Sequence, residues 1–186
     1  MDRLYRMQMG ARQCYVIERS GNWFELDGDI YAGYEAGQSV DVSAARVLPP
    51  VMPSKIVAVG LNYRDHAKEM GKTLPDEPLI FLKPSTAVIG PSDAIVLPNG
   101  AGRVDHEAEL GIVIGKTAHQ VPVDRAQEYV LGLTCVNDVT DRDLQKRDVQ
   151  YTRGKGFDTF APIGPAIAVG LDGASLDVES AVNGQV

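Results

Sequence analysis

The stretch Arg103-Val-Asp-His-Glu-Ala-Glu-Leu-Gly-Ile-Val-Ile-Gly115 decides how this chain folds. It predicts a β-strand, and because side chains alternate along a strand, Glu107 and Glu109 share one face. The opposite face is apolar throughout and consists of Ala108, Leu110, Ile112 and Ile114. Two neighbouring like charges repel each other and lose solvation on burial, so the pair is favoured where a divalent cation lies between them. The pattern also fits a solvated strand face opposite an apolar one, and both interpretations stay open.

A third acidic residue, Asp138, follows the apolar run at 131–136 at a predicted strand-to-helix junction. Aspartate is an ordinary helix N-cap at such a junction, and this alternative is strong. In the functional interpretation, Asp138 is a third oxygen ligand brought in from another strand end. Ligands that are all oxygen favour Mg²⁺, Mn²⁺ or Ca²⁺ over zinc.

Two further residues are candidates for acid–base chemistry. A helix is predicted from the N-cap Asn62 to Gly71, and it carries His66 and Glu69 three positions apart on one face. A carboxylate beside an imidazole orients it and raises its basicity, as a general base that activates water requires. The alternative is an ordinary surface pair on a helix.

Two lysines could bind an anionic group. Lys155 lies between two glycines, which allow the backbone to approach a ligand closely, so it could bind an anionic substrate or stabilise an enolate. It could equally be a flexible loop charge. Lys83, which precedes Pro84, has the same two interpretations.

Composition excludes several classes of protein. The net charge of -7 and the absence of a Lys/Arg cluster argue against nucleic acid as a partner. The apolar runs are far shorter than the roughly 20 residues that cross a bilayer, and the polar start does not look like a signal peptide. We therefore expect a cytoplasmic protein without a membrane partner. The two widely spaced cysteines favour reduced thiols over a disulfide framework.

Turn signals and prolines predict two domains. Residues 1–50 have the spacing of a small N-terminal β domain, with a hairpin turn at Ser20-Gly-Asn22, and the run Leu48-Pro-Pro-Val-Met-Pro53 is a stiff connector. Residues 51–186 form the second domain. Its predicted elements are strands at 56–59, 79–82, 94–97 and 131–136, a helix within 138–149, and a hairpin turn at Asn183-Gly184. Because no strand follows that turn, we expect the chain to be truncated at its C-terminus.

Five segments in a fixed order carry a resemblance to a known family. They are Gly60-Leu-Asn-Tyr-Arg-Asp-His-Ala-Lys-Glu69, Pro78-Leu-Ile-Phe-Leu-Lys-Pro-Ser85, Asp105-His-Glu-Ala-Glu-Leu-Gly-Ile-Val-Ile-Gly-Lys116, Asn137-Asp-Val-Thr-Asp-Arg-Asp-Leu-Gln145 and Lys155-Gly-Phe-Asp-Thr-Phe-Ala-Pro-Ile-Gly-Pro165. From about Pro53 to its end the chain resembles the fumarylacetoacetate hydrolase family, in the bacterial type with a small N-terminal domain. The resemblance implies a mixed β-sandwich roll, which is an α+β fold that is mainly β, and a homodimer.

The resemblance also implies roles for particular residues. Glu107, Glu109 and Asp138 correspond to ligands of Mg²⁺ or Mn²⁺, and Lys155 corresponds to an active-site lysine. His66 and Glu69 correspond to the pair that activates water. The resemblance further assigns substrate binding to Lys83, Arg142 and Gln145. One departure is Asp141, which stands where a small residue is common.

The implied function is hydrolysis or isomerisation of 2-oxo or 2-hydroxy-dienoic (di)carboxylic acids, such as acylpyruvates or 2-hydroxyhepta-2,4-diene-1,7-dioate, in the catabolism of aromatic compounds. Three alternatives stay open. The first is a decarboxylase of the oxaloacetate type, and the second is a truncated, catalytically inactive β-roll that binds metal or a partner chain. The third is a purely structural calcium site.

Overall fold

The computed structural model describes residues 1–69, 71 and 73–186, and the side chains at positions 65, 66 and 69 lie outside the described part. Across the described residues, no helix combines the length and the apolar character needed to span a membrane.

Most of the regular structure in the described part is β-strand. The strands are β1 (Asp2–Met9), β2 (Arg12–Arg19), β3 (Asn22–Asp29), β4 (Gly33–Ser39), β5 (Arg46–Leu48), β6 (Lys55–Gly60), β7 (Leu79–Pro84), β8 (Val88–Ile89), β9 (Val104–Asp105), β10 (Ala108–Ile114), β11 (Val130–Asn137), β12 (Thr140–Asp141), β13 (Ala161–Pro162) and β14 (Ile167–Val169). The α-helices are α1 (Arg64–Glu69), α2 (Arg142–Arg147) and α3 (Thr152–Lys155), and 3₁₀ turns cover Ser85–Ala87 and Val123–Tyr129. The predicted α+β, mainly β fold class is confirmed.

One antiparallel sheet runs through the molecule in the order β10-β11-β14-β1-β2-β3-β4, with β5 paired to β1 as a branch. The turn between β2 and β3 is made by Ser20 and Gly21, both with positive φ, as a two-residue hairpin turn requires. The core contains buried aliphatic side chains from both ends of the chain, including Leu4, Ile17, Val113, Ile163 and Ile167.

The strands of residues 1–50 share this sheet with strands from the rest of the chain. β1 pairs with β14 through Asp2–Leu4 and with β5 through Arg6–Gln8. The division into domains at 1–50 and 51–186 therefore stays a prediction, and within the described part the two ranges contribute to a common core.

Three short strand pairs lie beside the main sheet. β6 and β7 are antiparallel and are connected through α1, β9 pairs with β12, and β8 pairs in parallel with β13. On the β6–β7 pair, Phe81 and Lys83 are buried, whereas the opposite face is exposed and carries Val57, Val59, Ile80 and Leu82. The β9–β12 pair brings the segment before Glu107 next to the segment after Asp138.

Several predicted elements are confirmed, and two differ. β6, β7 and β11 contain the predicted strands, and Val182 and Gln185 pair across the predicted Asn183-Gly184 turn. The predicted strand at 94–97 is wrong, because that segment has no regular secondary structure and pairs with no strand in the described part. The helix predicted within 138–149 is shorter: it covers Arg142–Arg147, since residues 140 and 141 pair with β9 instead.

The two faces of β10 are not divided as a solvated and an apolar face. Glu109, Gly111 and Val113 are two positions apart and share one face. Val113 on this face is only 8% exposed and belongs to the core. Ile112 and Ile114 on the other face are 58% and 54% exposed. The glutamates therefore lie on the face that continues into the core, which is opposite to a simple pattern of polar residues outside and apolar residues inside.

Candidate metal centre and cavity

The three predicted carboxylates converge where β10 begins and β11 ends. Glu109 pairs with Val136, and the backbone N–H of Asp138 donates to the carbonyl oxygen of Glu107 at 2.9 Å. One carboxylate oxygen from each of Glu107, Glu109 and Asp138 lies within 4.8 Å of the others. Three carboxylates at this spacing fit the ligand chemistry of one hard divalent cation.

Lys155 reaches this cluster from the last turn of α3. Its side chain is buried, and its Nζ donates to Glu107 Oε2 at 2.7 Å, to Asp138 Oδ2 at 2.5 Å and to Thr140 Oγ1 at 2.8 Å. The two carboxylates supply negative charge, and all three oxygens accept hydrogen bonds. Together they offset the cost of removing the ammonium group from water. The same Nζ lies 5.0 Å from the ring centroid of Phe81.

Lys83 lies on the other side of Asp138. It is 1% exposed, it forms an ion pair with Asp138 Oδ1, and its Nζ donates to the carbonyl oxygen of Val139 at 3.2 Å. Burial lowers the pKa of Lys83, and the negative charge of Asp138 opposes that shift. Asp138 is thus held between two lysines.

Arg142 holds Glu107 from the first turn of α2. Its guanidinium donates to Glu107 Oε1 at 2.6 Å, to Asp105 Oδ2 at 2.9 Å and to Gln145 Oε1 at 2.9 Å. The Arg142 side chain therefore links the β9–β12 pair, α2 and the carboxylate cluster.

The two glutamates differ in how readily they ionise. Burial raises the pKa of Glu107, but Lys155 and Arg142 act more strongly together and the pKa is lowered overall. Burial, followed by the charges of Asp138 and Glu107, raises the pKa of Glu109 to about 7. Of the two glutamates, Glu109 therefore gains more from a nearby cation.

A cavity of about 250 Å³ opens onto the cluster. One side of it is polar or charged, and the other is formed by the β6–α1 segment and by aromatic rings. The residues around it are Val59, Gly60, Leu61, Asn62, Tyr63, Phe81, His106, Glu107, Ala108, Glu109, Asp138, Arg142, Gln145, Tyr151 and Lys155. Phe81 and Tyr151 pack edge to face with ring centroids 5.9 Å apart.

A family model described as "Fumarylacetoacetate (FAA) hydrolase C-terminal" matches residues 55–186. The chain belongs to the fumarylacetoacetate hydrolase family. The family predicted by resemblance is thereby confirmed, and the match covers every residue of the carboxylate cluster.

The chain is similar to a family relative and to two solved structures. The chain is 53% identical over 165 residues to an uncharacterised protein of Archaeoglobus fulgidus, which covers 88% of this chain and 64% of that protein. The structure of 5-carboxymethyl-2-hydroxymuconate delta-isomerase from Mycobacterium smegmatis is similar with a TM-score of 0.88 and 41% identity, covering 98% of this chain and 73% of that one.

The third is maleylpyruvate hydrolase from Sphingobium sp. SYK-6, solved in complex with manganese(II) ion and pyruvate. It is similar with a TM-score of 0.67 and 26% identity, covering 90% of this chain and 67% of that one. The chain thus spans 64% of the length of its Archaeoglobus relative and about two thirds of the hydrolase.

The structure brings most of the predicted site residues of this family member together. Glu107, Glu109, Asp138, Lys155, Arg142 and Gln145 all border the cavity. The side chains of His66 and Glu69 lie outside the described residues, so their roles stay predictions. Lys83 is buried against Asp138 and is not among the residues that line the cavity, and its predicted contact with a substrate stays a prediction.

Other residues of the site were not anticipated. Thr140 accepts from Lys155 and donates to the carbonyl oxygen of Asp138, and Asp105 pairs with Arg142. Both stand two positions from a carboxylate of the cluster, which was a usable signal once β9 and β12 were treated as strands. His106 also lies on the cavity wall. Tyr63 also borders the cavity, and nothing in its sequence position indicated this.

Proposed function

We propose that this chain forms the metal-binding part of a divalent-metal-dependent hydrolase or isomerase. Its substrates would be 2-oxo or 2-hydroxy-dienoic (di)carboxylic acids, such as acylpyruvates or 2-hydroxyhepta-2,4-diene-1,7-dioate. The observation that carries the proposal is the convergence of three carboxylates on a cavity that Arg142 and Lys155 also border. The delta-isomerase from M. smegmatis and the manganese- and pyruvate-bound maleylpyruvate hydrolase support the same chemistry.

The residues around the cavity have separate tasks in this proposal. Glu107, Glu109 and Asp138 would hold Mg²⁺ or Mn²⁺, with Ca²⁺ as a possible substitute. The bound cation would supply Lewis acidity that polarises a carbonyl and offsets the charge of an enolate. Arg142 and Lys155 would place positive charge beside an anionic substrate, with Gln145 as a hydrogen-bonding partner.

Acid–base chemistry would fall to the helix after β6. α1 begins at Arg64, directly after the segment Gly60–Tyr63 that borders the cavity, and His66 and Glu69 belong to this helix. Family resemblance and the three-residue spacing support water activation by His66 with Glu69. We assign Lys83 to the support of Asp138 rather than to the substrate.

Metal binding tests the centre directly. We expect calorimetric titration with Mg²⁺ or Mn²⁺ to give one site per wild-type chain, and Glu109→Ala to weaken binding at least tenfold, because one of three anionic ligands is lost. Glu35→Ala, which changes an exposed residue of β4, is the matched control and should bind like the wild type. A wild-type chain that takes up neither ion at millimolar concentration would contradict the proposal.

Turnover tests the reaction itself. We expect the purified chain with Mn²⁺ to consume an acylpyruvate or the dienoic diacid, followed by the loss or shift of ultraviolet absorbance of the conjugated system. Metal binding without turnover would support the catalytically inactive alternative instead. Release of CO₂ from oxaloacetate would support the decarboxylase alternative. The proposed homodimer would appear in sedimentation velocity as twice the mass of one chain.

A further inference from the structure

The segment Gly60–Tyr63, which we call the connector, joins β6 to α1 and forms one wall of the cavity. All four of its residues border the cavity, and Glu107 and Glu109 stand on another wall. The position of the connector therefore sets how the helix that follows it stands relative to the metal-binding strand.

The backbone conformation of the connector is unfavourable on its own and needs support from surrounding contacts. Leu61 has a φ of 54°, in the left-handed region that a residue with a bulky side chain rarely adopts. Such a conformation persists where surrounding contacts over-determine it. The described contacts of the connector should then include one that ties it to a rigid element.

That contact is made by the hydroxyl of Tyr63. The backbone N–H of Leu110 donates to Tyr63 Oη at 3.1 Å, across 47 positions of sequence. β10 is the edge strand of the main sheet, and an edge strand presents N–H groups that have no strand partner. Leu110 immediately follows Glu109, so the hydroxyl is anchored one residue from a proposed metal ligand.

Tyr63 immediately precedes α1. The N–H of Ala67 donates to the carbonyl oxygen of Tyr63 at 3.0 Å, and the side chain of Ala67 is buried. One residue thus bonds to the metal-binding strand through its side chain and to the first helical turn through its backbone.

We propose that Tyr63 is a positioning residue that fixes α1, and with it His66 and Glu69, against the strand that carries Glu107 and Glu109. This inference rests on the proposed function for its catalytic consequence, but the bond itself does not. Without the hydroxyl, the connector and the first turn of α1 relax away from β10, and the helix is no longer held in one position relative to a substrate at the carboxylates.

The test compares Tyr63→Phe with Tyr31→Phe, which removes the same hydroxyl from an exposed turn of the N-terminal strands. Amide hydrogen exchange at Leu110 reports the bond, calorimetry with Mn²⁺ reports the metal site, and kcat and KM report alignment. For Tyr63→Phe we expect exchange at Leu110 to be about threefold to tenfold faster, a Kd for Mn²⁺ within twofold of the wild type, and kcat lower by about tenfold. Tyr31→Phe should match the wild type in all three.

Two results would overturn the inference. One is a Leu110 amide that exchanges in the wild type as fast as an unprotected amide, which needs no variant to fold. The other is a Tyr63→Phe chain with faster Leu110 exchange but unchanged kcat in an active wild type. A wild type that neither binds Mn²⁺ nor turns over substrate contradicts the proposed function, and the Leu110 measurement still decides whether the bond exists.

Discussion

Glu109 differs from its two neighbours in the cluster by having no ion pair within the described part of the chain. Glu107 pairs with Lys155 and Arg142, and Asp138 pairs with Lys155 and Lys83. A carboxylate that is half-buried beside two others, without a cation of its own, holds its proton to a higher pH. At the scale of single residues, the negative charges of the centre are therefore neutralised unevenly, and the charge of Glu109 is the one left without a paired cation in the described part.

We predict that Glu109 makes the metal-free protein less stable as the pH rises. Its folded pKa of about 7 is above the ordinary value of 4.5, so the folded state binds the proton more tightly than the unfolded state does. The free energy of unfolding then falls between about pH 4.5 and pH 7, and the penalty is complete above pH 7.

Glu109→Gln should remove this dependence. In a chelating buffer at pH 8, we expect the variant to be more stable than the wild type by on the order of 1–2 kcal/mol after allowance for solvent screening, and the gain should shrink toward pH 4. Urea unfolding at a series of pH values measures it, with Glu35→Gln as the control. An equal difference at pH 4 and pH 8 would contradict the assigned titration.

At the scale of elements, the turn from β12 into α2 positions Arg142. Asp141, the residue that departs from the family pattern, is buried and serves as the N-cap of α2. Its carboxylate accepts from the N–H groups of Asp143 and Leu144, both at 3.0 Å. The negative charge of Asp141 is thus stabilised by the first N–H groups of α2.

We predict that Asp141→Ala destabilises the chain by about 1 kcal/mol, because the first N–H groups of α2 lose their acceptor. Asp141→Asn should be close to the wild type, since asparagine caps about as well as aspartate. Thermal unfolding of the two variants measures the difference. If both variants lose the same stability, the charge of Asp141 rather than its cap is what matters.

At the scale of the whole molecule, the main sheet depends on a narrow junction. β14 lies between β11 and β1, and β11 meets β14 through the single registered pair Leu133 and Ala168. Gly132 stands beside this pair, and a Cβ there would lie 2.5 Å from the carbonyl oxygen of Ala168 and 2.7 Å from Ile167 Cγ2. The close approach of the strands requires the absence of a side chain at this glycine.

We predict that Gly132→Ala destabilises the protein by about 1–3 kcal/mol, because backbone of β14 must move to accept the methyl group. Gly173→Ala is the control: a Cβ there would meet only the end of the flexible Leu133 side chain, at 3.2 Å. Urea unfolding measures both. A Gly132→Ala variant as stable as the Gly173→Ala variant would show that the junction is not tightly packed.

The sequence alone predicted the family, the mainly β fold class and the meeting of Glu107, Glu109 and Asp138. Alternation along a strand is a local property, and it was enough to place Glu107 and Glu109 on one face. The choice of Asp138 as their partner came with the family resemblance. The sequence did not predict that the glutamate face of β10 enters the core, that residues 94–97 pair with no strand among the described residues, or that Lys83 lies against Asp138.

These features depend on which strands become neighbours. The pairing of β1 with β14 and of β9 with β12 joins residues far apart in the chain, and no local pattern specifies such contacts. Residue spacing, together with the resemblance to the family, therefore indicated which acids could share an ion. Only the tertiary structure decided which cations lie against them and which tyrosine hydroxyl reaches β10, because burial and partner choice arise when distant segments pack together.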